Sequence, residues 1–141
     1  MRQNTMKVLI LCTGNSCRSQ MAEGFLKSFD SRLGVFSAGT DPAPHANTNA
    51  IAVMKEAGID ISQNEPKSID LFLTDSFDYV ITVCDDARES CPWFSGLVRH
   101  RMHIGFEDPA KAKGTEEEIL GVYRKIRDQI REEFLKFYKA L

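Results

Sequence analysis

Cys12-Thr13-Gly14-Asn15-Ser16-Cys17-Arg18-Ser19 follows directly on the apolar run Lys7-Val8-Leu9-Ile10-Leu11. That order puts a thiol at the end of a strand and a guanidinium at the close of the loop behind it. Residues 13 to 17 give the backbone room to curl its N–H groups around a tetrahedral oxyanion. Arg18 then forks onto two of the oxygens and the thiol lies beneath the central atom. A helix beginning near Arg18 adds its positive end at the same point, which favours both a bound anion and the thiolate of Cys12. The hydroxyl of Ser19 can donate to the same sulfur. Thr13 to Ser19 are therefore the expected oxyanion-binding residues, with Cys12 as nucleophile. Without its loop, Cys12 would read as a small buried hydrophobe, the usual fate of a free cysteine. The ordered run of strand, Cys, Gly, Asn, Cys, Arg and Ser favours chemistry.

Two further features could serve that thiol. Asp108-Pro109 stands in a loop after an expected strand end, where proline sets the turn and one carboxyl can reach an anion site to move a proton. Alone, Asp-Pro is a common turn pair. Cys84 ends another apolar run, and Cys91 follows it in Asp85-Asp86-Ala87-Arg88-Glu89-Ser90-Cys91-Pro92, a polar stretch that reads as mobile. The four cysteines contain no short Cys-x2-Cys step, and His45, His100 and His103 are scattered, so no metal site is expected. In a reducing compartment such cysteines read as catalytic or inert rather than as a disulfide framework.

The elements that must position these groups alternate between strand and helix. Lys7 to Leu11 is continuously apolar, the signature of a central parallel strand buried on both faces. A helix follows, with Met21, Ala22, Phe25, Leu26 and Phe29 at helical spacing and Asp30 and Gly34 at its end. Leu33 to Ala38 reads as a second strand, and Gly39 to Ala46, with its prolines, as a loop. Asn47 or Thr48 caps a helix that Gly58 stops. Ser68 to Thr74 reads as a short helix, Asp78 to Val83 as a third strand delivering Cys84, and His100 to Ile104 as a fourth. The spacing of Ile119, Tyr123, Ile126, Ile130, Phe134 and Phe137 predicts a long amphipathic last helix with a solvated charged face. This is an α/β pattern: an open parallel sheet of about four strands flanked by helices, with ligands at the carboxyl ends of the strands. Cys12, Cys84 and Asp108 all fall on that edge.

At 141 residues the chain reads as one domain, 1–141, able to bury a core without disulfides or metals. Met1 to Thr5 read as a short mobile polar extension. The net charge of −2 offers no footprint for nucleic acid or anionic membrane. No stretch has the length of a membrane span or signal-peptide core, so the cytoplasm and a monomer are expected.

The loop Cys-x5-Arg-Ser with Asn15 inside it resembles the low-molecular-weight protein tyrosine phosphatases and the thioredoxin-coupled arsenate reductases that share their fold. The resemblance runs from Met6 to Leu141 and implies a flavodoxin-like three-layer sandwich. It implies that Asp108 is the general acid and that Asn15 orders the loop, although on residues alone Asn15 could equally be a simple turn asparagine. In phosphatases of this fold aromatic residues typically follow Asp-Pro and grip a phosphotyrosine ring; here Ala110 and Lys111 follow. The strand-end Cys84, with Cys91 and Pro92 beyond it, is instead similar to the thiol shuttle of the reductases.

That similarity implies reduction of arsenate to arsenite through a Cys12 adduct, a Cys12–Cys84 disulfide and then a Cys84–Cys91 disulfide that thioredoxin reduces. The polar segment between Cys84 and Cys91 must loosen for this. No tightly bound cofactor is expected. Cys17 reads as structural, with transient pairing to Cys12 as the other possibility, and the direction of Arg88 is open. The other enzymatic reading is a phosphatase acting through a Cys12 phosphocysteine, and a third is a noncatalytic anion sensor. Some reductases of this type bind potassium through residues matching Asn15, Glu23 and Ser37 plus an aspartate. Lys67 stands at the aspartate position, and its ammonium is expected to take the ion's place beside Asn15.

Overall fold

The computed structural model describes residues 6–141; the N-terminal extension expected to be mobile, residues 1–5, lies outside the described residues. Four parallel strands form the sheet: β1 (Lys7–Cys12), β2 (Gly34–Gly39), β3 (Phe77–Thr82) and β4 (Val98–His103), in the spatial order β2-β1-β3-β4. Helices α1 (Arg18–Phe29), α2 (Thr48–Glu56), α3 (Asp85–Ser90) and α4 (Glu116–Lys139) flank it. In register, Cys12 pairs with Gly39, Leu11 with Thr82, and Thr82 with His103. All four strands thus end at one edge.

The order reverses at β1, whose successor in sequence lies on one side and β3 on the other. A crevice opens at such a switch point, outside the carboxyl ends of the two strands. Cys12 closes β1, and Cys84 comes two residues after β3, so both thiols lie at the mouth of that crevice.

Burial explains the strand compositions. β1 has neighbours on both sides, and Val8 to Leu11 are wholly buried. The edge strand β4, Val-Arg-His-Arg-Met-His, is mostly exposed, and its cations discourage pairing with another chain. Its polarity also hides its start, which lies at Val98 rather than His100. The core beneath is built from Leu9, Ile10, Ile81, Phe25, Met54 and the inward stripe of α4, including Ile126, Ile130 and Phe134.

Helix ends are set locally. Asn47 Oδ1 accepts from Ala50 N at the head of α2, and Gly58 follows that helix with φ of 81°, a conformation costly for any other residue type. Thr115 and Glu118 form a reciprocal capping box for α4. The charged face of α4 is only partly solvated. Arg124 and Arg127 each reach Glu56 at 3.0 Å, tying α4 to the end of α2. Ser68 to Thr74 contains a single 3-10 turn, Ile69–Phe72. The polar stretch after Cys84 is not an open loop: Asp85 to Ser90 close into the one short helix α3. No described helix is long and apolar enough to cross a membrane.

Candidate active site

The loop after β1 is shaped from outside. The carbonyls of Cys12, Thr13, Gly14 and Ser16 accept from the backbone N–H groups of Thr40, Asp41, Ala43 and Asn47 at 3.2, 2.9, 2.9 and 2.8 Å. In a trans peptide the carbonyl and the next N–H point opposite ways. Turning four carbonyls toward residues 40 to 47 therefore turns the following N–H groups into the bowl. Gly39 permits this approach, since a Cβ there would stand 2.4 Å from Thr13 O.

Asn15 locks the curl. It holds a left-handed conformation, φ 52°, and is fully buried. Asparagine tolerates that region better than most residues. Its Nδ2 donates to Ser19 Oγ and Ser37 Oγ at 2.8 and 2.9 Å, and its Oδ1 accepts from Lys67 N at 2.9 Å and Gln20 Nε2 at 3.3 Å. Gln20 also donates to the Asn15 carbonyl at 3.0 Å. These bonds give Asn15 the ordering geometry, not that of a free turn. Gln20 and Gly39 carry no motif signal, because their partners are set by packing across the chain.

Ser19 and Lys67 flank this network. Ser19 does not line the cleft, and its hydroxyl oxygen accepts from Asn15 Nδ2, which leaves the hydroxyl proton free to donate. Lys67 meets Asn15 through its backbone N–H alone, while its ammonium donates to Glu65 O at 3.2 Å in solvent. The cation nearest this network is Lys27, whose Nζ lies 2.6 Å from Glu23 Oε2; Glu23 Oε1 accepts from Ser37 Oγ. Ser37 thus links Asn15 to Glu23, and Glu23 pairs with Lys27. Among the described residues no group of three or more His, Cys, Asp or Glu is arranged to hold a metal.

Arg18 opens α1 and closes the bowl. Its Nη1 donates to Phe106 O at 3.0 Å, and Nη2 lies 3.8 Å from Asp108 Oδ2. Its Nε is buried with no partner, among the described residues the one such side-chain nitrogen or oxygen. An unpaired buried donor is costly, and here it borders the bowl where an oxyanion would satisfy it. Phe106 is held by a backbone bond from its N–H to Val83 O at 3.1 Å and stacks on Phe134. Asp108 caps the turn at Pro109: Oδ1 accepts from Ala110 N at 3.0 Å, leaving Oδ2 toward Arg18 and the cleft.

The cleft occupies about 940 Å³ and is lined by Cys12 to Arg18, by Cys84 opposite them, and by Asp108, Ala110 and Lys111 at the rim. Cys12 and Cys84 stand close enough across the cleft for each to shift the other's proton affinity. Cys84 is pulled down to about 5, chiefly by the neighbouring Cys12 thiol, with help from the Thr13 hydroxyl at 3.4 Å and the Ala87 N–H. Cys12 is pushed far above the ordinary thiol range by Cys84 and by burial, against the pull of Arg18 and the Thr13 N–H. Cys17, at the head of α1, is pushed up to about 12 by burial and stays a neutral thiol.

Cys91 is set apart. It ends α3, half-buried, with Sγ 3.8 Å from the Arg101 guanidinium. Burial pushes its thiol up and Arg101 opposes that. The six residues of α3 span about 9 Å, beyond the Cα separation a disulfide tolerates. The structure thus brings Cys12, Arg18, Cys84 and Asp108 together and leaves Cys91 one helix away.

Comparison with known proteins places this geometry. The family described as Low molecular weight phosphotyrosine protein phosphatase matches residues 7–141. An arsenate reductase of Bacillus licheniformis is 47% identical over 131 residues, covering 92% of this chain and 93% of that protein. One from Bacillus subtilis is 47% identical over 124 residues, covering 87% and 88%. The solved structure of an arsenate reductase in the phosphate binding state is similar with a TM-score of 0.78 and 33% identity, covering 96% of this chain and 98% of that one.

Proposed function

The chain belongs to the low molecular weight phosphotyrosine protein phosphatase family, and from that premise we propose that it is an enzyme that reduces arsenate to arsenite through a relay of three thiols. The observation that carries this reading is that Cys12 and Cys84 both line the oxyanion cleft, close enough to shift each other's proton affinity. Ester hydrolysis needs one nucleophile. A second thiol within bonding reach of the first serves a redox step.

Arsenate settles on the inward N–H groups and Arg18, whose Nε gains its missing partner. Cys12 becomes a thiolate by passing its proton to the neighbouring Cys84. It attacks arsenic(V), and one oxygen leaves as water with a proton supplied from Asp108. Cys84, its proton passed to an arsenate oxygen, then attacks Cys12 Sγ. The sulfur–arsenic electron pair stays on arsenic, which departs as arsenite and leaves the Cys12–Cys84 disulfide. Cys91 attacks Cys84 next, freeing Cys12 and forming Cys84–Cys91, which a dithiol donor reduces.

Thioredoxin is the donor we assign, with the cytoplasm as the compartment that keeps such thiols reduced. Trp93, 80% exposed and two residues from Cys91, supports a protein donor, since it offers apolar contact beside the resolving sulfur. The same cleft accepts phosphate, so slow aryl phosphate hydrolysis is expected as a side activity. Ala110 and Lys111 at the rim supply no aromatic grip for a phosphotyrosine ring, which weighs against phosphatase as the principal task. The test is arsenite release with thioredoxin, thioredoxin reductase and NADPH, compared with glutathione and glutaredoxin. Activity with glutaredoxin alone overturns the donor; no arsenite with either overturns the reductase.

A further inference from the structure

Strand β4 holds both ends of the helix that carries the resolving thiol. At the head of α3, Asp85 Oδ1 lies 3.1 Å from His103 Nε2, and His103 Nδ1 lies 2.8 Å from the Thr82 hydroxyl at the end of β3. The Thr82 hydroxyl donates to Met102 O at 3.4 Å, and its oxygen faces the His103 ring. At the foot of the helix, the Arg101 guanidinium reaches Cys91 Sγ at 3.8 Å and lies over the Phe94 ring at 5.5 Å. Phe94 is itself buried and edge-packed on Phe77. Arg101 is thereby backed by an aromatic that cannot move without disturbing the core.

Arg101 and His103 are two residues apart on one strand, so both side chains leave the same face of the sheet. Their spacing of about 7 Å is comparable with the length of about 9 Å expected for the six residues of α3. Side chains of β4 therefore reach α3 at its first residue and at the residue that ends it. Neither His103 nor Arg101 lines the oxyanion cleft.

Both grips belong to the resting arrangement. Cys91 reaches Cys84 only when α3 unwinds, and unwinding draws Asp85 and Cys91 off their partners on β4. We propose that His103 and Arg101 form a two-point clamp that keeps Cys91 away from Cys84 until the Cys12–Cys84 disulfide has formed, making them positioning residues for the second exchange. The inference rests on the thiol relay proposed above. In the step it governs, a Cys91–Cys84 sulfur bond forms, the Cys12–Cys84 bond breaks, and its electron pair leaves on Cys12; no outside oxidant or reductant enters. The clamp imposes order on three thiols that would otherwise compete.

The experiment mixes the reduced full-length enzyme with arsenate in the absence of any reductant, quenches with acid and alkylating agent at intervals, and counts each disulfide by peptide mapping. His103→Ala frees the head of the helix without touching the oxyanion cleft, and Arg101→Met frees its foot while keeping an apolar stem over Phe94. Each is expected to speed conversion of Cys12–Cys84 into Cys84–Cys91 by about two- to fivefold, with the double variant near the product of the two. Arg101→Lys, which restores a cation, should return toward the parent rate. Formation of the first disulfide and aryl phosphate hydrolysis should not change. Conversion that is unchanged or slower in both single variants overturns the clamp while leaving the relay intact. Sustained turnover of Cys91→Ser with thioredoxin overturns the relay, and the clamp with it.

Discussion

The loop around Cys12 and the helix between Cys84 and Cys91 face each other across one cleft and are built on opposite principles. The loop has its carbonyls bonded outward, its asparagine saturated and its glycine neighbour pressed against it. Opening it would expose several buried polar groups at once, so it moves little. Helix α3 has six residues, too few to be stable by themselves; it buries Ala87 against the sheet, and its polar ties include an exposed Asp85–Arg88 pair and the contacts from β4. Rigid N–H groups suit an anion whose charge must be met without reorganisation. A short, weakly held helix suits a sulfur that must travel.

Several experiments can break or sharpen this contrast. Cys12→Ser should lower both arsenate reduction and aryl phosphate hydrolysis by at least about 10⁴-fold, because both begin at that sulfur. Cys84→Ser should stop arsenate turnover yet leave aryl phosphate hydrolysis, measured on the same preparation. Retained multiple-turnover reduction would erase the division of labour. Asp108→Asn, which cannot supply a proton, should slow aryl phosphate hydrolysis by about 10²- to 10⁴-fold with binding of inorganic phosphate kept. Loss of binding instead would make Asp108 part of the cradle.

Smaller effects probe the rigid side. Asn15→Ala strands Ser19, Ser37, Gln20 and the Lys67 N–H, and should cost about 3 kcal/mol in urea unfolding along with weaker phosphate binding. A near-neutral result would mean that the loop holds its curl without its lock. Cys17 gives the finest test. Folding raises its thiol to about 12, from an ordinary value of 9.0 that the unfolded chain regains. Between those values the folded state binds more protons than the unfolded one, so stability from this group is intact below about pH 9 and falls as pH rises. Relative to Cys17→Ala, the parent chain should lose up to about 1.4 kcal/mol per pH unit across that window, read as urea midpoints at pH 8 and pH 10. Parallel slopes would mean that Cys17 is not held as a buried neutral thiol.

What was legible in advance tracks how local its cause is. Lys7 to Ser19 could be read as strand, loop and helix start because apolar continuity and the positions of Gly14, Asn15 and Arg18 act within one stretch of chain. The long last helix was equally legible from its apolar spacing. The Lys67 ammonium was misplaced, since a linear pattern does not separate a backbone N–H from a side chain as the partner of Asn15. The short helix at residues 85 to 90 was not legible, because a polar six-residue segment has no periodicity to show. Its helix depends on Cys84 and on β4.

The residue order by itself determined the chemistry available to this protein: a thiol, an arginine and a carboxyl at strand ends, with two more thiols in reserve. These follow from types and short-range spacing, which the backbone converts directly into strand, turn and helix. Only the tertiary structure decided which groups meet. Cys12 and Cys84 share one cleft wall, Arg18 reaches Phe106 from 88 residues away, and Arg101 grips Cys91 across the sheet edge. Such meetings are set by strand order and core packing, which depend on the whole chain at once.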